Sequence, residues 1–519
     1  MLNFVRRLGR AENHVHPTVK SSERPTNKSI SFVAGLIVLI LGLFSSTVAL
    51  SQSFGEKHSG EELRNDLRIL HEALDKFHTG MYWYTPKDSV ELAFAKANKL
   101  VKNNMSTLEF FRIMAPLVGL SREDHTDIIL PKSLKSEIKE KGKFFPFTVV
   151  YLDNRLFVLR NGSDNDSLAP GVEITHINGE PVDLLGSKLG ELFASDGYIK
   201  TVKYSDLRGF SFSRYYLYNY GNVDSFKVKT STGETFEISA LDINEINANL
   251  KSRNTESSPE QKESLEFQIL DNSVAYLGIH DFSNDSYKEN KVNKNYKKFL
   301  EESFRAITED DIETLVIDVS KNGGGSEGNE NLLYSYVGEN YQKYNKVRAK
   351  TQKATIDDGN GGTIKLKTFG WFEKTFANTK LPDGSYERKL NGGPGLMAYK
   401  KEPKNKFKGK IYVIISPITY SGASEFANMV YTNRLATFVG EETGGGFYGN
   451  TSGYKEKLVL PASGITVKIP ALQFVMNVEG LPFGSGVIPH HKVVPTFEEY
   501  AAGENAALKF ILEMESRND

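Results

Sequence analysis

Residues Pro417 to Ala427 read PITYSGASEFA, and this stretch decides the fold assignment. It follows an apolar run, Ile411 to Ile415 (IYVII). It opens a segment in which Ala423, Phe426, Ala427, Val430 and Tyr431 recur at i, i+3, i+4, i+7 and i+8. That period marks one face of a helix. Ser421 therefore stands at a strand-to-helix joint, where backbone N–H groups lack carbonyl partners and the helix dipole favours negative charge. A nucleophile that generates an oxyanion gains from that position. Serine is also a preferred N-cap, so the string on its own fits a plain capping role at least as well.

A second loop tips the balance. Thr314 to Asn329 read TLVIDVSKNGGGSEGN, an apolar strand running into Gly323, Gly324 and Gly325 and then into a helix. Gly323, Gly325 and Gly328 satisfy the letter of the dinucleotide fingerprint. Yet Ser320, Lys321 and Asn322 separate strand from glycine, and no second strand ending in an acid follows about twenty residues later. The chain also has no GxxxxGK[ST] loop. Unscreened backbone N–H groups make an anion nest. Set beside a strand-to-helix serine, Gly323 and Gly324 supply half of an oxyanion hole and Gly422 the other half.

A serine nucleophile needs a base. Of the 10 histidines, His125 stands out, because it lies in Arg122-Glu123-Asp124-His125-Thr126 at a helix-to-strand joint. His58, His71, His78, His176 and His280 read as surface or packing residues. His490 and His491 are adjacent, but no HExxH or acidic cluster supports a metal, so neither a metal nor a cofactor is expected.

Composition narrows the field further. Lys+Arg 64 against Asp+Glu 65 leaves a net charge of −1, with no electrostatic footprint for nucleic acid. With no cysteine, thiol catalysis and disulfides are excluded. A length of 519 residues calls for several cores. Residues 1–52 combine a basic, polar start with the uncharged run from Ile30 to Leu50, a signal peptide or membrane anchor. The remainder is expected outside the cytoplasm, with membrane attachment through this segment if it is retained.

Three regions follow. Residues 60–130 carry amphipathic helices over Glu61 to Phe77, Ser89 to Lys102 and from Ser106, where Ser106 and Glu109 form a capping box. Residues 140–245 are β-rich, with a hairpin signal at Asp153-Asn154. Ser252 to Glu263 is polar and unpatterned, a linker. Residues 265–510 alternate strand runs (Val274 to Ile279, Thr314 to Val319, Ile411 to Ile415, Ile465 to Ile469) with helical runs (Val292 to Ile307, Asn329 to Val337, Ser421 to Arg434). That alternation predicts an α/β layer. Thr351 to Lys406 reads as a surface insertion.

In this order the strings resemble the carboxyl-terminal processing and tricorn-type serine peptidases. Asp318 to Gly325, Thr419-Tyr420-Ser421-Gly422, Gly440-Glu441-Glu442-Thr443-Gly444 and Gly486-Val487-Ile488-Pro489 match that family's strings, Asp124-His125-Thr126 its cap motif, and Pro170 to Gly179 its PDZ-type module. The resemblance implies a multidomain α+β protein: a helical cap, a PDZ-like β-rich module and a ClpP/crotonase-like α/β core. Gly446 occupies the place of the lysine in Ser–Lys relatives, which points to the Ser–His branch. There Ser421 is the nucleophile, His125 its base and Glu479 the orienting acid, with Glu441 and Glu442 as alternatives. Gly422, Gly323 and Gly324 form the oxyanion hole, and the substrate is a polypeptide. Tricorn's serine before the histidine is replaced by Asp124, and the family's aspartate after proline by His490. A rival reading is a non-catalytic binder of apolar ligands or peptides on the same scaffold, its pocket lined by Met81 to Tyr84 and Phe210 to Tyr220.

Overall fold

The computed structural model describes residues 54–253, 264–270, 273–289, 295–390 and 402–517. The sequence-predicted leader (residues 1–52) lies outside these residues, as does nearly all of the linker. Among the described residues no helix is long and apolar enough to cross a membrane. Residues 52–519 form one compact unit.

The N-terminal helices form where their patterning requires. Helix α1 (Gly60–Phe77) starts at a Ser59–Glu62 capping box and buries Leu63, Leu67, Leu70, Leu74 and Phe77. Helix α2 (Lys87–Leu100) and helix α3 (Thr107–Gly119) follow, and α3 is closed by the predicted Ser106–Glu109 box. Their core is shared: Ile356, Leu366, Leu458, Val467 and Ile469 pack into it from distant sequence. Strand β1 (Asp127–Ile129), directly after His125, pairs antiparallel with Thr466–Ile469. That corrects one expectation, because Ile465 to Ile469 is not part of the α/β layer. The reason is legible afterwards: Val467 and Ile469 are buried while Thr466 and Lys468 are not, the alternation of a one-sided antiparallel strand.

The β-rich region is a sheet in the order β2 (Phe147–Leu152), β3 (Arg155–Asn161), β4 (Glu173–Ile177), then β5 (Ser225–Thr230) and β6 (Thr235–Ser239), with helix α4 (Thr201–Asp206) between β4 and β5 in sequence. Asp153 (φ 49°) and Asn154 (φ 63°) make the two-residue turn between β2 and β3, as their left-handed tolerance predicts. Strand β2 is an edge. Val149 bridges to Gly209 on the outer side, and by alternation the backbone of Tyr151 faces that same side.

The third region is built on a six-stranded sheet. Its order is β7 (Leu265–Ile269), β8 (Val274–Ile279), β9 (Thr314–Asp318), β10 (Lys410–Ile415), β11 (Thr437–Gly440) and β12 (His491–Lys492). All neighbours from β8 onward are parallel. One face packs Leu277, Leu315 and Val413 against helices α5 (Tyr296–Glu309), α6 (Asn329–Ser335) and α7 (Gly422–Thr432). The other packs Tyr276, Val316 and Ile414 against helix α8 (Ala506–Glu515), which the sequence reading did not single out. Burial on both faces explains the uninterrupted apolar runs. The supposed surface insertion is also corrected. Its hairpin, Lys353–Asp357 with Thr363–Lys367, buries Ile356 and Leu366 in the α1 core, and Tyr386–Arg388 joins a five-stranded sheet beside Tyr344–Ala349.

Candidate active site

Strands β9, β10 and β11 deliver three loops to the same edge of the sheet, and the hydrogen bonds between those loops shape the site. After β10 the chain turns through Ser416 to Tyr420. Thr419 Oγ1 donates to the Val319 carbonyl at 2.9 Å, and the Tyr420 N–H donates to the Asn322 carbonyl at 3.1 Å. Ser421 then adopts φ 48°, ψ −124°, and its side chain makes no capping hydrogen bond to α7. Only its carbonyl serves the helix, accepting the Glu425 N–H at 2.9 Å and the Ser424 hydroxyl at 2.8 Å. The capping role is thus ruled out. A non-glycine residue held there carries about 1–3 kcal/mol of backbone strain, of the kind that clusters at functional sites.

The glycine loop lies against this serine. Gly324 has φ 101°, and a Cβ placed on it would stand 2.6 Å from Ser421 Cβ. Nothing larger than glycine fits. The loop is pinned by Asn322, fully buried, whose Nδ2 donates to the Ile279 carbonyl at 3.0 Å and whose Oδ1 accepts the Gly324 N–H at 2.8 Å. One expected donor is thereby corrected: the Gly324 amide already has a partner within the loop. Gly323 is open on its Cβ side, with nothing within 4 Å. Gly422 opens α7, where first-turn N–H groups have no helical acceptor.

The third loop straps the turn from behind. The Gly445 N–H donates to the Thr419 carbonyl at 3.1 Å, and Thr443 exchanges hydrogen bonds with Val487 at 3.1 and 2.8 Å. Glu442 Oε1 accepts the Gly486 N–H at 3.0 Å. Glu441 sits near Lys492 and Asp153. Both acids belong to that strap, and among the described residues no hydrogen bond joins either to His125.

The loop that carries His125 is tied to Gly446 and Thr451 by buried carboxylates absent from the sequence-predicted site. Asp196, buried, accepts the Asp124 N–H at 2.8 Å through Oδ1 and the Gly446 N–H at 3.1 Å through Oδ2. Glu123, fully buried, accepts the Thr451 N–H at 2.7 Å and hydroxyl at 2.8 Å. Burial and the proximity of Asp196 push Glu123 well above the carboxylate range; burial raises Asp196 as well. Asp124 is pushed up to about 8, first by burial and then by Asp196. The Tyr420 phenol, one residue before the serine, is raised by burial and then by Asp124. His125 itself is partly exposed, but its Nδ1 lies inside the protein with no hydrogen-bond partner. Burial, reinforced by Lys455, pushes it down to about 4. No hydrogen bond joins it to Ser421 among the described residues.

Glu479 is not brought to this place. It is exposed, and its charge acts on Tyr341. Among the described residues no group of three or more His, Asp or Glu side chains is arranged to hold a metal.

No curated protein sequence matches the chain. The fold is similar to that of mature CPAF complexed with lactacystin (TM-score 0.56, 16% identity, 88% of this chain and 97% of that chain). It is likewise similar to a second crystal structure of mature CPAF (TM-score 0.50, 15% identity, 85% of this chain and 94% of that chain). Residues 273–493, which contain the glycine loop, the serine turn and the strap, match peptidase family S41. This stretch is therefore a peptidase family S41 domain, of the serine-type peptidase class.

Proposed function

We propose that Ser421 is the nucleophile and His125 its base in an exported peptidase that cleaves polypeptides. The observation that carries this reading is Ser421 itself: a strained residue whose hydroxyl caps nothing, pressed against a glycine that admits no side chain. Ser421 Oγ attacks the peptide carbonyl as its proton passes to the His125 imidazole. The imidazolium then protonates the leaving amine, and water repeats the cycle on the acyl-enzyme. The N–H groups of Gly422 and Gly323 receive the oxyanion. Loss of one such donor costs about 3 kcal/mol of transition-state stabilisation.

The low affinity of His125 for protons keeps it neutral, and so able to accept one, across the neutral range. Asp196 and Glu123 hold its loop. Glu479 takes no part while it remains at Tyr341. The β2 edge at Tyr151 supports PDZ-like docking of an extended chain by strand addition. Beside it lies a cavity of about 570 Å³ that reaches from Tyr151 and Tyr204 to Ser320 and Pro417, next to the serine turn. Export rests on the leader read from the sequence. Against the rival binder, Met81, Tyr84, Phe212 and Tyr216 are buried in the core, while Tyr82, Trp83 and Phe210 keep partial exposure.

The test is hydrolysis of fluorescently labelled casein by the purified protein, by Ser421→Ala and by His125→Ala. Turnover lost in both variants, with folding retained, supports the assignment. Turnover that survives in either removes that residue from it.

A further inference from the structure

One cluster of buried charge is not used by this mechanism, although it sits directly behind it. Lys343, Glu330 and Glu425 have side-chain exposures of 2%, 1% and 9% and come from three separate segments. Lys343 Nζ lies 2.7 Å from Glu330 Oε1 and also pairs with Glu425. Glu425 Oε2 accepts the Tyr344 hydroxyl at 2.9 Å. Glu425 is one turn into the serine helix, its N–H bonded to the Ser421 carbonyl at 2.9 Å. Glu330 reaches back to the end of the glycine loop, where its two oxygens accept the Gly328 N–H at 3.1 and 2.9 Å. Its Oε2 is also 3.7 Å from the Cβ position of Gly422.

Three groups from α6, from the segment entering Tyr344–Ala349, and from α7 therefore meet at one point, against Gly422 and the end of the glycine loop. Burying three charges is a poor way to gain stability, because desolvation offsets most of the Coulomb attraction and apolar side chains of similar volume would serve as well or better. What the charges add is direction. A carboxylate bonded at once to Gly328 and Lys343 fixes where the glycine loop ends relative to the helix that begins at Gly422. Lys343 does not replace His125 as base, because two carboxylates hold its proton.

We propose that Glu330, clamped by Lys343 and Glu425, is a positioning residue that sets the separation of the Gly323 and Gly422 amides. This rests on Ser421 being the nucleophile. The spacing matters because a misplacement of about 1 Å in a catalytic constellation costs on the order of 10²-fold in rate.

The test compares Glu330→Leu, Glu330→Gln and Glu425→Gln with the wild-type chain. The readouts are kcat and KM on labelled casein, the rate of fluorophosphonate labelling, and thermal melting. Glu330→Leu is expected to lose on the order of 10- to 100-fold in both kcat and labelling rate, with KM within about twofold. Glu330→Gln, which keeps an oxygen for the Gly328 N–H, is expected to recover to within about fivefold, as is Glu425→Gln, which leaves the Lys343–Glu330 contact in place. Should Glu330→Leu fail to melt cooperatively, the two glutamine variants carry the test, and a drop of about 10-fold or more in both overturns the proposal. Melting temperatures that fall while kcat and labelling stay unchanged would reduce the cluster to a structural one. A wild-type chain that labels somewhere other than Ser421 would instead remove the underlying assignment.

Discussion

The serine turn and the histidine loop are fixed in opposite ways. Ser421 is held by backbone: three loops from adjacent parallel strands bond carbonyl to amide, and glycines at 324 and 445 let them close. His125 is held by side chains, two buried carboxylates that reach from its own loop and from Asp196 to amides at Gly446 and Thr451. Backbone-built sites tolerate almost no added volume but are insensitive to pH. Carboxylate-built ones depend on charge and tolerate change in volume better. One half of the proposed active site should therefore break sterically and the other electrostatically.

Predictions follow that contrast in descending size. Ser421→Ala should lower kcat/KM by about 10⁴-fold or more with little change in melting temperature, since the hydroxyl makes no capping hydrogen bond to α7. Gly324→Ala should lower kcat by roughly 100-fold and destabilise the protein by about 1–3 kcal/mol in chemical denaturation, because the added carbon meets Ser421 and the backbone angle is disfavoured. Asp196→Ala leaves the Asp124 and Gly446 amides without acceptors, each worth about 1–3 kcal/mol. Here kcat should fall about tenfold while fluorophosphonate still labels the serine, a split that distinguishes loss of the base's position from loss of the nucleophile. If Asp196→Ala abolishes labelling as completely as Ser421→Ala, the two halves are not separately built.

The pH profile sharpens the same contrast. His125 is pushed down to about 4 from 6.5, so the acid limb of kcat/KM should lie near pH 4. The sign is fixed by the base being the neutral form: activity is retained above 6.5 and lost as pH falls through the folded value. Its contribution to stability runs the same way, present above 6.5 and lost as pH falls through about 4. A limb near 6.5 would mean a solvated imidazole and a loop looser than the one described. The smallest effect is expected at Glu479→Gln. An exposed acid at Tyr341 should change kcat by less than about twofold. A loss of 100-fold or more would mean that Glu479 swings to His125 during turnover.

The sequence made the serine half legible and left the other half largely hidden, for a physical reason. A strand buried on both faces, a run of glycines and a helical period are local patterns, so β8, β9, β10, α7 and the glycine loop could be read from short windows. The left-handed backbone of Ser421 could not, because φ is set by the loops pressing on it. Asp196 was illegible because it sits in an ordinary Ser-Asp-Gly loop and its partners lie 72 and 250 positions away. Glu123 was visible as a polar neighbour of His125, but its partner is 328 positions distant. Gly324 was assigned a donor's role when its contribution is to have no side chain. The apolar content of Ile465 to Ile469 suits the α/β layer, but its alternation is that of a one-sided antiparallel strand.

The most direct test of the central claim maps the site of covalent modification. The purified protein is treated with a fluorophosphonate, digested, and its modified peptide identified by mass spectrometry, in the wild type and in His125→Gln. A single adduct on Ser421, formed at least about 100-fold more slowly when His125 is replaced, is the expected result. An adduct on another residue, or one on Ser421 that forms at the same rate without His125, would contradict the account.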